Sequence, residues 1–197
     1  MPALGALRTP ELILANAWPI QAALAAVPTA APTKHHSPDC TVTIDQTPWG
    51  ACVAFSGAYV QAGVEVDEAG LLPRVIDPLA TYFEVKGLPY GGPDPDPGLF
   101  PQQLWAYLRS TGWATKDGSP RRKIAAYYAL GAPSSSPAFL DALQQTILQL
   151  GPIQFVSAWP GNWFSTDVRG FMKTPSATLA GGHAFEGCGW EAFPNGC

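Results

Sequence analysis

Residues 86–101 read "KGLPYGGPDPDPGLFP" and carry five prolines and four glycines. Proline has no backbone N–H and a fixed φ, so neither a helix interior nor a central strand can run through this stretch. Glycine and aspartate beside proline favour turns instead. The stretch therefore reads as a loop that divides the chain. The same punctuation recurs throughout, with 21 Pro and 20 Gly in 197 residues. Loops and turns are therefore expected to be numerous.

Helices are expected on both sides of this loop. Residues 51–63 are small and apolar with Gly63 as a stop, which predicts a helix. Residues 73–83, "PRVIDPLATYF", predict a short helix broken by Pro78. Pro101 and Gly112 bracket a third helix, with Leu104, Tyr107 and Leu108 at helical spacing. Residues 137–150 predict the clearest helix, whose apolar face is Phe139, Leu140, Leu143, Ile147, Leu148 and Leu150. Gly151-Pro152 closes it. Beyond it, residues 153–159 ("IQFVSAW") and 181–190 ("GGHAFEGCGW") read as strands, the second with glycines that permit close backbone approach. "TVTI", residues 41–44, reads as a possible short strand. Helices precede strands, so the expected class is α+β.

Composition narrows the function. The chain is 47% hydrophobic and 13% charged, enough apolar residues for a buried core. Its net charge is −4 and no basic stripe occurs, which argues against nucleic-acid binding. Residues 12–31 are apolar, but Glu11 precedes them and Asn16, Pro19 and Gln21 interrupt them. They suit neither a membrane span nor a cleaved leader, and read as an arm lying across the domain. Residues 1–39 are expected to form that arm and linker, with residues 40–197 as the domain. His35 and His36 fall in the turn-rich "PTKHHSPD" and read as solvated. The four cysteines, Cys40, Cys52, Cys188 and Cys197, form no CxxC pair and lack zinc-site spacing. One or two disulfides are possible, with no pairing assignable. Asp94 and Asp96 flank Pro95 and read as turn residues.

One cysteine stands apart. Residues 46–56 read "QTPWGACVAFS", where a turn becomes the first apolar helix. A thiol there is either a small core residue or a nucleophile at a helix N-terminus. Far downstream, Gly182-His183-Ala184 precedes Gly189-Trp190. Gln46, Cys52 with Ala54-Phe55-Ser56, Gly151-Pro152 before a strand, and His183-Ala184 follow one another in order.

In these motifs the sequence resembles the papain-like cysteine peptidases over roughly residues 40–190. "GLFPQQLWAYLRSTG", residues 98–112, resembles the helix after that family's substrate loop. The resemblance implies a two-lobed fold, with Cys52 heading a helical lobe, His183 on a β-barrel-like lobe and a cleft between them. It implies peptide-bond hydrolysis through a thioester, with Cys52 as nucleophile and His183 as general base and acid. Gln46 and the Cys52 backbone N–H would form the oxyanion hole. Gly98 would pair with the substrate backbone, and Trp159 would line the leaving-group side of the cleft. The implied partner is a peptide or protein substrate, with peptidoglycan peptides one such class. No metal or organic cofactor is required.

The departures also carry information. Trp49 stands where many members have a disulfide cysteine, and Val53 where a tryptophan is usual. Both point to a divergent, bacterial or phage-type member. The family holds its histidine with an asparagine in an Asn-Ser-Trp strand. After His183 only Asn195 occurs, in "FPNGC", so the domain is expected to be incomplete at its C-terminus. That motivates an alternative, a non-catalytic peptide-binding or structural protein on the same fold. A transglutaminase-like enzyme would also use a Cys–His pair, but the Gln46 spacing and the Ala-Phe-Ser tail argue against it.

Overall fold

The computed structural model describes residues 18–20, 24–25, 35–36, 45–46, 48–69, 76–93, 98–130, 135–168 and 171–191. In chain order the elements are β1 (Trp18–Pro19), β2 (His35–His36), α1 (Cys52–Ala69), α2 (Pro78–Lys86), α3 (Pro101–Ser110), β3 (Tyr128–Ala129), α4 (Pro137–Leu150), β4 (Ile153–Pro160), a 3-10 turn (Gly161–Phe164), β5 (Leu179–Gly187) and β6 (Trp190–Glu191). Helices dominate the first half and the long strands come last, as the α+β expectation requires. Cys40, the 41–44 stretch, Asp94, Asp96, Asn195 and Cys197 lie outside the described residues.

Helix α1 is the centre of the molecule. Every residue from Ala51 to Ala58 is buried. A helix apolar all round its circumference can only be packed on all sides. Tyr82 and Phe83 of α2, Leu104 and Leu108 of α3, Trp113 and Ala184 of β5 complete one core with it. Ser56, the polar residue in this turn, turns its hydroxyl back to the Cys52 carbonyl at 2.7 Å, the usual solution for a serine inside a helix.

Two proline and glycine expectations need correction. Pro78 starts α2 rather than breaking a helix. Asp77 caps that helix, its carboxylate accepting from the Ala80 N–H at 2.9 Å, and proline suits the first helical position because its missing N–H would be unpaired there anyway. Gly63 does not end α1, which runs on to Ala69. A Cβ at Gly63 would strike the ring of Pro152, so its glycine is a packing requirement.

Helix α4 also differs from expectation. It spans the predicted residues and Ser136 caps it. Its buried residues are nevertheless Gln145, Thr146 and Ile147, and Leu140 is 47% exposed. Of the predicted apolar face, only Ile147 is fully buried.

β4 and β5 form an antiparallel ribbon in which Ser157 faces His183 and Gln154 faces Glu186. Among the described residues this ribbon is the only pairing longer than two residues. Gly187 gives room to an aromatic ring: a Cβ there would collide with Phe155. β1 pairs parallel with β3, and β2 pairs antiparallel with β6. His35 and His36 thus belong to a short strand against Trp190–Glu191 rather than to a free linker. No helix among the described residues is long and apolar enough to cross a membrane.

Gln154 joins the ribbon to the helices. Its amide nitrogen donates to the Val53 carbonyl at 2.8 Å and to Ser56 Oγ at 2.7 Å. Its oxygen accepts from Trp105 Nε1 at 2.8 Å. One side chain therefore ties β4 to α1 and α3.

The α1–Pro152 contact is testable. Gly63→Ala is expected to cost about 1–3 kcal/mol through overpacking, read as a lower urea midpoint at unchanged slope. Pro152→Ala in the same chain should recover part of the loss, because it removes the ring that the methyl strikes.

Candidate active site

The site forms where the N-terminus of α1 meets the middle of β5. Cys52 is the first residue of α1, and the Phe55 N–H closes the first turn on the Ala51 carbonyl at 3.1 Å. The first-turn N–H groups of any helix lack intrahelical acceptors and lend the end partial positive character. An anion placed at such an end is stabilised by it. Cys52 forms no disulfide and is 0% exposed. The Ala184 N–H donates to its sulfur at 3.4 Å, another interaction that favours a sulfur carrying negative charge.

The loop before Cys52 is held by packing. The Trp49 N–H bonds the Gln46 carbonyl at 3.0 Å, making a turn. The Trp49 indole meets Phe83 edge-on at 5.0 Å. At the position where the resembled family uses a disulfide, an aromatic contact anchors this loop.

Cys52, Gln46 and His183 all line one pocket of about 220 Å³, together with Phe55, Ser56, Tyr59, Ala184, Phe185 and Glu186. Cys52, Ser56 and Tyr59 lie at i, i+4 and i+7 and so share one face of α1. Ala184 and Glu186 alternate onto one face of β5.

His183 has a distinctive setting. Its ring stands edge-on to Trp159 at 4.6 Å and stacks on Phe185 at 6.4 Å. Nδ1 is buried and has no hydrogen-bond partner among the described residues. Burial holds the imidazole below its ordinary value of 6.5, because desolvation penalises the cation. Opposite it across the ribbon, the Ser157 hydroxyl is likewise buried without a hydrogen-bond partner among the described residues.

The other expected residues sit differently. Trp159 is 7% exposed and lies behind His183, not along the pocket. Its second aromatic contact is Trp163 at 5.4 Å. Gly98 is buried, and both its backbone groups are engaged within the chain. Its N–H donates to the Tyr82 hydroxyl at 3.4 Å, and its carbonyl accepts from Lys86 Nζ at 3.3 Å. Neither residue lines the pocket with Cys52. Cys188 is disulfide-bonded.

Sequence reading passed over Tyr59 and Glu186. The i+7 spacing from Cys52 and the period-2 spacing from Ala184 would have found them. Glu186 is half-buried, and burial pushes its carboxyl above the usual range. Among the described residues no cluster of His, Cys, Asp or Glu could hold a metal ion.

No family model and no curated protein matches the chain. Solved structures do. One is xylellain, a cysteine protease from Xylella fastidiosa, with a TM-score of 0.63 at 16% identity over 96% of this chain and 80% of that one. Another is procathepsin B S9 from Trypanosoma congolense, with a TM-score of 0.64 at 15% identity over 98% of this chain and 72% of that one. At such identities the likeness establishes the fold. The chain has the papain-like α+β cysteine-protease fold.

The electrostatics of His183 can be read directly. Its ring proton resonances should titrate with a midpoint below 6.5, measured by NMR against a free-histidine control. The sign for stability follows: the unfolded chain takes up a proton that the folded chain resists, so stability falls as pH drops below the ordinary value. His183→Phe should remove that part of the acid slope.

Proposed function

We propose that this protein is a cysteine peptidase in which Cys52 attacks, His183 transfers protons and Gln46 helps hold the oxyanion. The observation that carries the reading is that these three residues, 137 positions apart at the extremes, line a single pocket at a helix N-terminus. The fold it shares with two cysteine proteases supports the same reading.

The chemistry follows from the setting. Burial favours the neutral imidazole of His183, so it can act as a base, and its Nδ1 has no hydrogen-bond partner among the described residues. As Cys52 Sγ bonds to the substrate carbonyl carbon, the thiol proton passes to the imidazole. The carbonyl π electrons move onto oxygen, which the Gln46 amide and the Cys52 N–H stabilise. Collapse breaks the C–N bond, and the imidazolium protonates the departing amine, leaving a thioester. Water then attacks the thioester with His183 as base. The C–S bond breaks, releasing a carboxylic acid and restoring the thiol. The substrate is a peptide or protein, and peptidoglycan peptides are among the candidates. No step needs a metal or organic cofactor.

Cys52→Ala should abolish cleavage of an unstructured protein substrate. His183→Ala should lower kcat/KM by about 10²–10⁴-fold, and Gln46→Ala should lower kcat by about 10²–10³-fold. Iodoacetamide labelling mapped by mass spectrometry adds a test independent of substrate. Cys52 should label faster than an unfolded control peptide near neutral pH, and His183→Ala should remove the advantage. Labelling of Cys52 no faster than the control, with no cleavage of any peptide tested, leaves the non-catalytic alternative.

A further inference from the structure

We propose that Glu186 makes the pocket beside Cys52 a receptor for a cationic group, so that the preferred substrates present a lysine or arginine side chain there. This rests on the peptidase reading of the site and names its specificity.

The pocket has two walls. Cys52, Ser56 and Tyr59 descend one face of α1, and Ala184 and Glu186 run along the facing side of β5. The Ala184 N–H marks the sulfur end of the pocket. Glu186 lies two residues further along the strand, about 7 Å away at the rise of a β-strand. The volume of about 220 Å³ is below the roughly 300–1,000 Å³ of sites that take a whole ligand. It suits a single side chain.

Glu186 has no hydrogen-bond or ion-pair partner among the described residues, and burial alone accounts for its altered acidity. Two polar groups of the same region are engaged with other partners. Gln154, its partner across the ribbon, bonds Val53, Ser56 and Trp105. The Ser56 hydroxyl donates to the Cys52 carbonyl. Phe55, Ala184 and Phe185 contribute apolar surface to the same pocket. A half-buried carboxylate without a counter-charge is costly. It is favoured when a cation enters with it, and the resulting charge-assisted hydrogen bond is among the strong ones. Lysine and arginine match both features, with an apolar stem for the aromatic wall and a cationic head for Glu186.

The test uses thiol reagents of one reactivity class and three charges: methanethiosulfonates bearing an ammonium, a methyl and a sulfonate group. Rates at Cys52 of the intact protein are mapped by mass spectrometry and normalised to each reagent's rate with 2-mercaptoethanol. The ammonium reagent should react faster than the neutral one by about tenfold, a low value for electrostatic focusing in a cleft, and the sulfonate slower. Glu186→Gln should bring the three rates together, while Glu186→Asp should keep the order. In the wild-type chain n-butylammonium should slow labelling, and n-butanol at the same concentration should not. This second measurement does not depend on any variant folding. Equal rates for the three reagents overturn the cation receptor and leave the peptidase reading standing. An ammonium preference that survives Glu186→Gln overturns Glu186 as its source. Failure of every reagent to reach Cys52 overturns the peptidase reading and the receptor with it.

Discussion

The N-terminal turn of α1 is buried, and the site depends on that burial. Helix ends normally face water because their first N–H groups need acceptors. Here that end is enclosed by α2, α3 and β5, with the Ala184 N–H directed at the Cys52 sulfur. In an enclosure of low polarity, dipoles and hydrogen bonds act more strongly than they would in water. The position of the thiol and its electrostatics therefore have one cause. Trp49 packs on Phe83, and Gln154 bonds Val53 and Ser56, so both contacts brace this end of the helix.

The same enclosure sets opposite conditions for the two titratable groups that line the pocket with Cys52. Burial disfavours charge on both, so it holds His183 down and Glu186 up. A neutral imidazole is ready to accept a proton. A carboxyl pushed toward neutrality is ready to be recharged by an incoming cation. The two are three residues apart on β5 and so lie on opposite faces of the strand, which on the proposed reading divides proton transfer from recognition of a substrate side chain.

Much of this architecture was legible in the sequence. Cys52 heading a helix, Gln46 upstream and His183 on a late strand were each readable from local pattern, as were α3, α4, β4 and β5. The failures have a shared physical origin. Pro78 was read as a breaker because sequence alone did not show that Asp77 would cap the helix it begins. Gly63 was read as a stop because its real constraint, the ring of Pro152, is distant in the chain. The α4 face was misjudged because periodicity predicts a stripe but not which neighbour will cover it. Trp159 and Gly98 are expected at the cleft from the family resemblance, and what tertiary contacts add is that Trp159 packs on His183 and Gly98 bonds Tyr82.

The sequence by itself determined the class of elements, their order and the chemical types available: one thiol at a helix start, one imidazole on a strand, and loops cut by proline and glycine. Those follow from backbone sterics and short-range periodicity, which act over a few residues. Only the tertiary structure decided which groups share a pocket, that His183 and Glu186 are drawn from water, and that Cys52 is covered. Burial and desolvation depend on segments more than a hundred residues apart, and no local pattern encodes them.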